Sequence, residues 1–203
     1  MAIEKFLTKN DINKTIKWLK SLQRPDGGFS DAHEQQSSLS CTYYSIRTLL
    51  KLNAINKVNK KKIINYILAT KQADGGFSDV PGKKSNPQFT SYAIFLLKEL
   101  KALDSLDNFD TKNLIDNLKI LQREDGGFSS SNGEASSTIF TYYVIRSLFL
   151  LNALHYINKS KLMNFIKSVK HQNGGFSNYP NERPSILVSK HVVFIFDEIA
   201  KSV

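Results

Sequence analysis

The stretch LQRPDGGFS, residues 22–30, decides the fold because it returns along the chain. DGGFS stands at 26–30, at 74–78 and at 125–129, and NGGFS stands at 173–177. The phenylalanines Phe29, Phe77, Phe128 and Phe176 are spaced by 48, 51 and 48 residues. Self-similarity at a fixed period marks a repeat architecture, in which each unit buries its apolar face on its neighbours.

The flanks repeat with helical spacing. Ten residues before each Phe stand Leu19, Ile67, Leu118 and Ile166; thirteen before stand Ile16, Ile64, Ile115 and Met163. Seven before stand Leu22, Thr70, Leu121 and Val169. Apolar residues in steps of three predict an amphipathic helix that runs into the turn. A Gln precedes each Phe by four to six residues (Gln23, Gln72, Gln122, Gln172). Downstream the register is tighter. Twelve past each Phe are Cys41, Phe89, Phe140 and Val188, followed by Thr42, Thr90, Thr141 and Ser189. Fifteen past are Tyr44, Tyr92, Tyr143 and His191; seventeen past are Ile46, Ile94, Ile145 and Val193; twenty past are Leu49, Leu97, Leu148 and Phe196. A helix this apolar around its circumference is a buried one.

Each unit therefore reads as a charged outer helix, a GGF turn, a polar loop and a buried inner helix. The pattern predicts helices near 9–23, 40–53, 58–72, 88–103, 110–122, 138–154, 158–171 and 185–201. They form an all-α chain of four hairpins (9–53, 58–103, 110–154, 158–201) in a single domain over 1–203. The glycine pair is expected to stop the outer helix, since Gly takes positive φ without a Cβ penalty. The preceding Asp or Asn is expected to bond local backbone, and the Phe to plug the space under the helix end. No GxxxxGK[ST] and no preceding strand accompany it, so the turn is not a phosphate-binding loop. The loops 31–38, 79–88, 129–138 and 178–185 would emerge at one end of the array as a rim, where binding residues tend to sit.

Composition narrows the setting. The chain has 203 residues, 41% hydrophobic and 23% charged, as in a globular protein. No apolar run approaches the roughly 18 residues of a membrane span. The start MAIEKFLTKNDINK has no apolar segment of the secretory type. Cys41 is the only cysteine, which excludes an internal disulfide and fits a reducing compartment. A cytoplasmic location is expected. The net charge of +10 raises nucleic-acid binding. Most of it is lysine on the outer helices (Lys14, Lys17, Lys60, Lys61, Lys62, Lys161, Lys167), and five Arg make few bidentate phosphate forks. We expect a solvated face with no nucleic-acid partner, and at most weak attraction to anionic membranes or acidic partners.

The segments LQRPDGGFS…SCTYYSIRTLLKL (22–52) and LQREDGGFS…IFTYYVIRSLFLL (121–151) resemble the repeats of protein prenyltransferase β-subunits and of squalene/terpene cyclases. The resemblance covers essentially all 203 residues. It implies an α/α toroid whose inner helices line an apolar funnel. That family usually closes its ring with about six hairpins, so four imply an open arc or a ring completed by another chain.

The catalytic parts of such enzymes are missing. No DxDD occurs, and the run Asp104–Asp107–Asp110 has the wrong spacing; DDxxD is absent as well. The prenyltransferase zinc set needs an Asp two residues before its Cys, and here Leu39 precedes Cys41. His33, His155, His171 and His191 have no metal-ligand spacing. No metal or other cofactor is implied, and no catalytic residue can be assigned.

What survives of a diphosphate site is fragmentary. Lys83, followed by Lys84, occupies the basic position of a post-GGF loop. Arg47 and Arg146 lie eighteen past their Phe on otherwise apolar helices, where Phe95 and Phe194 stand in the other repeats. A buried cation is costly unless paired or facing a cavity. The two arginines therefore either contact an anion in the funnel or pair with a carboxylate or helix end. Tyr43, Tyr44, Tyr92, Tyr142, Tyr143 and His191 either line an aromatic funnel or pack as ordinary core.

Three functions remain open: an isoprenoid-handling transferase or cyclase homologue, completed by a partner chain where its own groups fall short; a non-catalytic binder of an isoprenoid or other apolar molecule; and a scaffold for protein or peptide on the concave face. The last helix, with Ile186, Leu187, Val193, Phe194 and Phe196, is poor capping chemistry, so a homo-oligomer or a protein partner is expected.

Overall fold

The computed structural model describes residues 6–31 and 34–201; His33 lies outside them. Eight α-helices follow one another: α1 (Lys9–Ser21), α2 (Leu39–Lys51), α3 (Lys60–Ala69), α4 (Pro87–Glu99), α5 (Asn108–Ile120), α6 (Thr138–Leu150), α7 (Lys159–Ser168) and α8 (Ile186–Ala200). Among the described residues there is no strand beyond isolated bridges, so the chain is all-α, as its pattern predicts. The even-numbered helices pack side by side as an inner layer, and the odd-numbered ones lie outside them. No helix is long and apolar enough to cross a membrane among the described residues.

Local chemistry starts all of these helices but α8, whose N-cap Ser185 makes no side-chain cap bond. Thr8 and Asp11 form a reciprocal capping box on α1. Asn59 and Asn158 cap α3 and α7, and Ser38 and Ser137 cap α2 and α6. In the acidic run, Asp107 is the N-cap of α5, and Asp110 in its first turn pairs with Lys71. In the first three repeats the apolar columns bury what the spacing said they would, with Ile46, Leu49, Ile94, Leu97, Ile145 and Leu148 all inaccessible to solvent, whereas Val193 and Phe196 of the fourth are exposed.

The GGF turn departs from expectation in an informative way. Helix α1 ends at Ser21, well before Gly27, so the glycine does not stop the helix. Instead Gln23 and Phe29 form an antiparallel bridge, Arg24 N–H donates to the Gly28 carbonyl, and Gly27 (φ +97°) turns the loop between them. Glycine is needed there for close approach as well: a Cβ on Gly27 would sit 2.2 Å from the Lys62 carbonyl oxygen in α3. Asp26 accepts from Gly28 N–H at 3.0 Å, the expected local bond. The Phe is the expected plug, and Phe29, Phe77 and Phe128 are wholly buried.

The Thr column has a role that spacing did not reveal. Phe29 N–H donates to Thr42 Oγ1 at 3.0 Å, and that hydroxyl donates onward to the Ser38 carbonyl at 2.7 Å. Phe77–Thr90, Phe128–Thr141 and Phe176–Ser189 repeat the first bond at 3.0, 2.9 and 2.9 Å. Each turn is thus tied to the first turn of its inner helix.

Three inner helices stop short of their expected ends at 53, 103 and 154. They finish at Lys51, Glu99 and Leu150 because Asn53, Lys101 and Asn152 take left-handed φ of 52°, 58° and 56°. Ala54, Ala102 and Ala153 then donate back to Leu49, Leu97 and Leu148, a Schellman-type closure. Short 3₁₀ turns at Ile55–Lys57, Leu103–Ser105 and Leu154–Tyr156 lead into the next hairpins.

A larger unit is visible once the junctions between hairpins are compared. Where the first meets the second, Asn59 N–H faces Gln23 Oε1 at 3.5 Å, and where the third meets the fourth, Asn158 N–H donates to Gln122 Oε1 at 3.1 Å. Between the second and third the same two register positions hold the ion pair Lys71–Asp110. The hairpins therefore alternate in kind, and residues 99 apart correspond.

Candidate functional site

The inner helices bring the aromatic register to one concave cavity of about 410 Å³. Tyr43, Tyr44 and Arg47 reach it from α2, Gln88 and Tyr92 from α4, Tyr142, Tyr143 and Arg146 from α6, and Lys190 and His191 from α8. Such a size lies within the roughly 300–1,000 Å³ of small-molecule sites.

Stacked rings build its wall. Tyr43 lies on Tyr92 with centroids 3.8 Å apart and planes 7° from parallel. Tyr142 lies on His191 in the same way, at 4.3 Å and 11°. A hydroxyl ladder crosses three helices, with Tyr44 and Tyr92 Oη 3.1 Å apart and Tyr92 and Tyr143 Oη 3.5 Å apart. The hydrogen bond to Tyr92 pushes the Tyr44 phenol up to about 12, and burial pushes Tyr92 to about 12. Burial also raises Tyr142 and Tyr143. The phenols are therefore neutral near pH 7, and they supply O–H donors rather than negative charge.

Positive charge is concentrated at one point. Arg47 Nη1 donates to Tyr43 Oη at 3.1 Å, and Arg146 Nη1 donates to the same oxygen at 3.0 Å. Both guanidinium groups also lie over the Phe95 ring, 5.7 and 4.6 Å from its centroid. Among the described residues no carboxylate lies within 4.0 Å of either one. Glu198 senses Arg146 only at longer range, and burial holds its carboxyl above the usual range. His191 is buried, its Nδ1 has no hydrogen-bond partner among the described residues, and burial with the neighbouring Lys190 pushes it down to about 4. It is a neutral ring at pH 7.

Of the site residues expected from sequence, the structure brings Arg47, Arg146, Tyr44, Tyr92, Tyr143 and His191 to this cavity. It does not bring Lys83, which is exposed on the loop before α4 and is not part of the lining. Phe95 was legible only as a counterpart of the arginines; sharing their register put it on the same face. Gln88, which donates to Tyr92 Oη at 2.9 Å, and Lys190 carried no sequence signal.

The zinc set of prenyltransferases does not fit here. Cys41 is half-buried without a second ligand, and no three His, Cys, Asp or Glu side chains gather as a metal site among the described residues. No step is assigned to a metal.

The prenyltransferase alpha-alpha toroid domain matches this chain twice, over residues 2–98 and 83–186. The chain belongs to that family. Among solved structures it is similar to the Candida albicans protein geranylgeranyltransferase-I complexed with GGPP, with a TM-score of 0.79 and 19% identity. That match covers 97% of this chain and 62% of the other, so this toroid chain spans less than two thirds of its relative. It is also similar to the type II terpene cyclase MstE from Scytonema in its apo form, with a TM-score of 0.47 and 13% identity over 96% and 83% of the two chains. No curated protein sequence matches it. At 19% identity the likeness to the geranylgeranyltransferase shows the fold.

Proposed function

We propose that this toroid domain binds an isoprenoid diphosphate in its concave cavity, with the prenyl chain against the tyrosine wall and the diphosphate at Arg47 and Arg146. One observation carries the reading: two guanidinium groups share a single acceptor, Tyr43 Oη, and neither has a carboxylate partner among the described residues. Of these two cations Arg47 is exposed and Arg146 half-buried, and a half-buried cation without a counter-charge is held at a cost in desolvation. The two side by side gain most from an anion with several acceptor oxygens, which planar guanidinium groups grip through paired N–H bonds. The aromatic rings beside them offer an apolar surface to an allylic chain.

The fold family supports this choice of ligand, since the similar geranylgeranyltransferase was solved with GGPP. All four hairpins contribute as one domain in a cytoplasmic protein, and closing the funnel falls to another chain. No residue of the cavity is assigned to bond-making: the phenols and His191 are neutral near pH 7, and the described residues offer no carboxylate in the lining. Binding is the function proposed, and transfer or cyclisation would need groups from elsewhere.

Native mass spectrometry separates the parts of this reading. Geranylgeranyl diphosphate, geranylgeraniol and inorganic diphosphate are offered in turn. A one-to-one adduct is expected with the first, and weaker adducts with the other two. Equal binding of alcohol and diphosphate would remove the arginines from the site. No adduct with any of the three would end the proposal.

A further inference from the structure

We propose that a second copy of this chain docks head to tail on the first, its α1–α2 hairpin seating against α8. The junction between the second and third hairpins is the template. There Lys71, six residues before its Phe, pairs with Asp110, eighteen before the next Phe. The fourth hairpin carries Lys170 at the first of these positions, and the first hairpin carries Asp11 at the second. Both Lys170 and the α1 surface around Asp11 face outward at opposite ends of the chain. The other junctions use Gln with Asn at these positions, so the outer surface of the fourth hairpin matches that of the first in kind as well as in charge, although Asp11 also accepts from Thr8.

The uncovered apolar surfaces follow the same correspondence. In α4, which packs between α2 and α6, Ile94 and Leu97 are wholly buried; their counterparts in α8, Val193 and Phe196, are 63% and 39% exposed. On the facing side, Ser147 of α6 is wholly buried, whereas its counterpart Thr48 in α2 is exposed. Tyr44 and Trp18 flank it on the head, 56% and 52% exposed.

The turns agree. A Cβ on Gly27, Gly75 or Gly126 would meet backbone of the next outer helix within 2.2, 2.7 and 2.0 Å, whereas one on Gly174 would meet nothing within 4 Å. Gly174 is a socket of the same shape without its helix. A contact that joins two different patches is heterologous, so it builds a ring where its rotation closes and a filament where it does not. Apart from Tyr44, which also lines the Arg47–Arg146 cavity, this contact stands on surfaces outside it, and its failure leaves the ligand reading untouched.

Sedimentation velocity across micromolar concentrations tests it, with far-UV circular dichroism to show that each variant is folded. Wild type is expected to associate reversibly. Lys170→Glu alone and Asp11→Lys alone should each raise the dissociation constant roughly tenfold or more, because like charges then face each other. The double variant should restore association, and an equimolar mixture of the two single variants should form heterodimers, because both mixed junctions then pair a cation with a carboxylate. Phe196→Glu should abolish association without loss of helicity. A monomeric wild type would overturn the proposal. So would a dimer that Lys170→Glu weakens and Asp11→Lys leaves intact, since that would be tail against tail.

Discussion

Arg47 and Arg146 donate to one acceptor, the hydroxyl of Tyr43, although 99 residues separate them in the chain. The repeat explains how this happens. Both arginines stand eighteen residues past a buried Phe, so each inner helix presents its cation to the concave side. Phe95 of α4, which occupies the same register between them, gives both guanidinium groups a flat face. The curvature of the inner layer does the rest.

Tyr43→Phe should weaken the site without emptying it. The substitution keeps the stack on Tyr92 and removes the oxygen that positions both guanidinium groups. A hydrogen bond to a charged group contributes about 1.5–3 kcal/mol net, so prenyl diphosphate affinity should fall about tenfold or more. Affinity for the prenyl alcohol should be unchanged. Fluorescence competition with a labelled prenyl diphosphate reads both.

The Phe-to-Thr bond is a second target, this time for stability. Thr141→Val keeps shape but leaves the buried Phe128 N–H without its acceptor, which costs about 1–3 kcal/mol. Thr141→Ser keeps the hydroxyl and should cost much less. Fourth-repeat Ser189 already does this work for Phe176. Urea melts compare the two variants, and a larger loss in Thr141→Ser than in Thr141→Val would show that the methyl rather than the hydrogen bond matters.

Glycine at the turn should be valued by its neighbour. Gly174→Ala meets only the strain of its φ of +87°, about 1–2 kcal/mol. Gly126→Ala adds a Cβ placed 2.0 Å from the Lys161 carbonyl, so its melting temperature should fall by at least twice as much. Similar losses at the two sites would mean that close packing of adjacent hairpins is not what selects glycine.

His191 gives the pH dependence. Its pKa falls from 6.5 to about 4 in the folded chain because burial and Lys190 disfavour the imidazolium. Below pH 6.5 the unfolded chain therefore binds more protons than the folded one, so stability rises with pH in that range. The contribution is complete above pH 6.5 and is lost as pH falls towards 4. In His191→Gln that His-linked loss should disappear from melting curves recorded between pH 4 and 7.

Most of the fold was legible because a repeat states its columns four times over. Ile46, Ile94 and Ile145 are buried alike, and one of them read alone would have shown little. The ends of the inner helices were not legible, because Lys101 gives no hint that a lysine will take positive φ where Asn53 and Asn152 do so more readily. The glycine pair misled for a different reason. Its purpose is set by α3, α5 and α7 approaching from the next hairpin, a tertiary contact that local turn chemistry does not contain. In the site, register gathered Tyr44, Tyr92, Tyr143 and His191 correctly on one face, since helical spacing fixes direction. Lys83 was misplaced because a loop residue has no such constraint. Gln88 and Lys190 went unseen because neither repeats.

Calorimetric titration of geranylgeranyl diphosphate into wild type and into the Arg47→Ala/Arg146→Ala variant tests the central claim most directly. Hydrogen bonds to charged groups contribute about 1.5–3 kcal/mol each, so losing both cations should weaken binding by roughly a hundredfold or more. The variant should keep its weak affinity for geranylgeraniol. Equal affinity of wild type and variant for the diphosphate would contradict the account, and it would leave the arginine pair a purely structural feature of the concave wall.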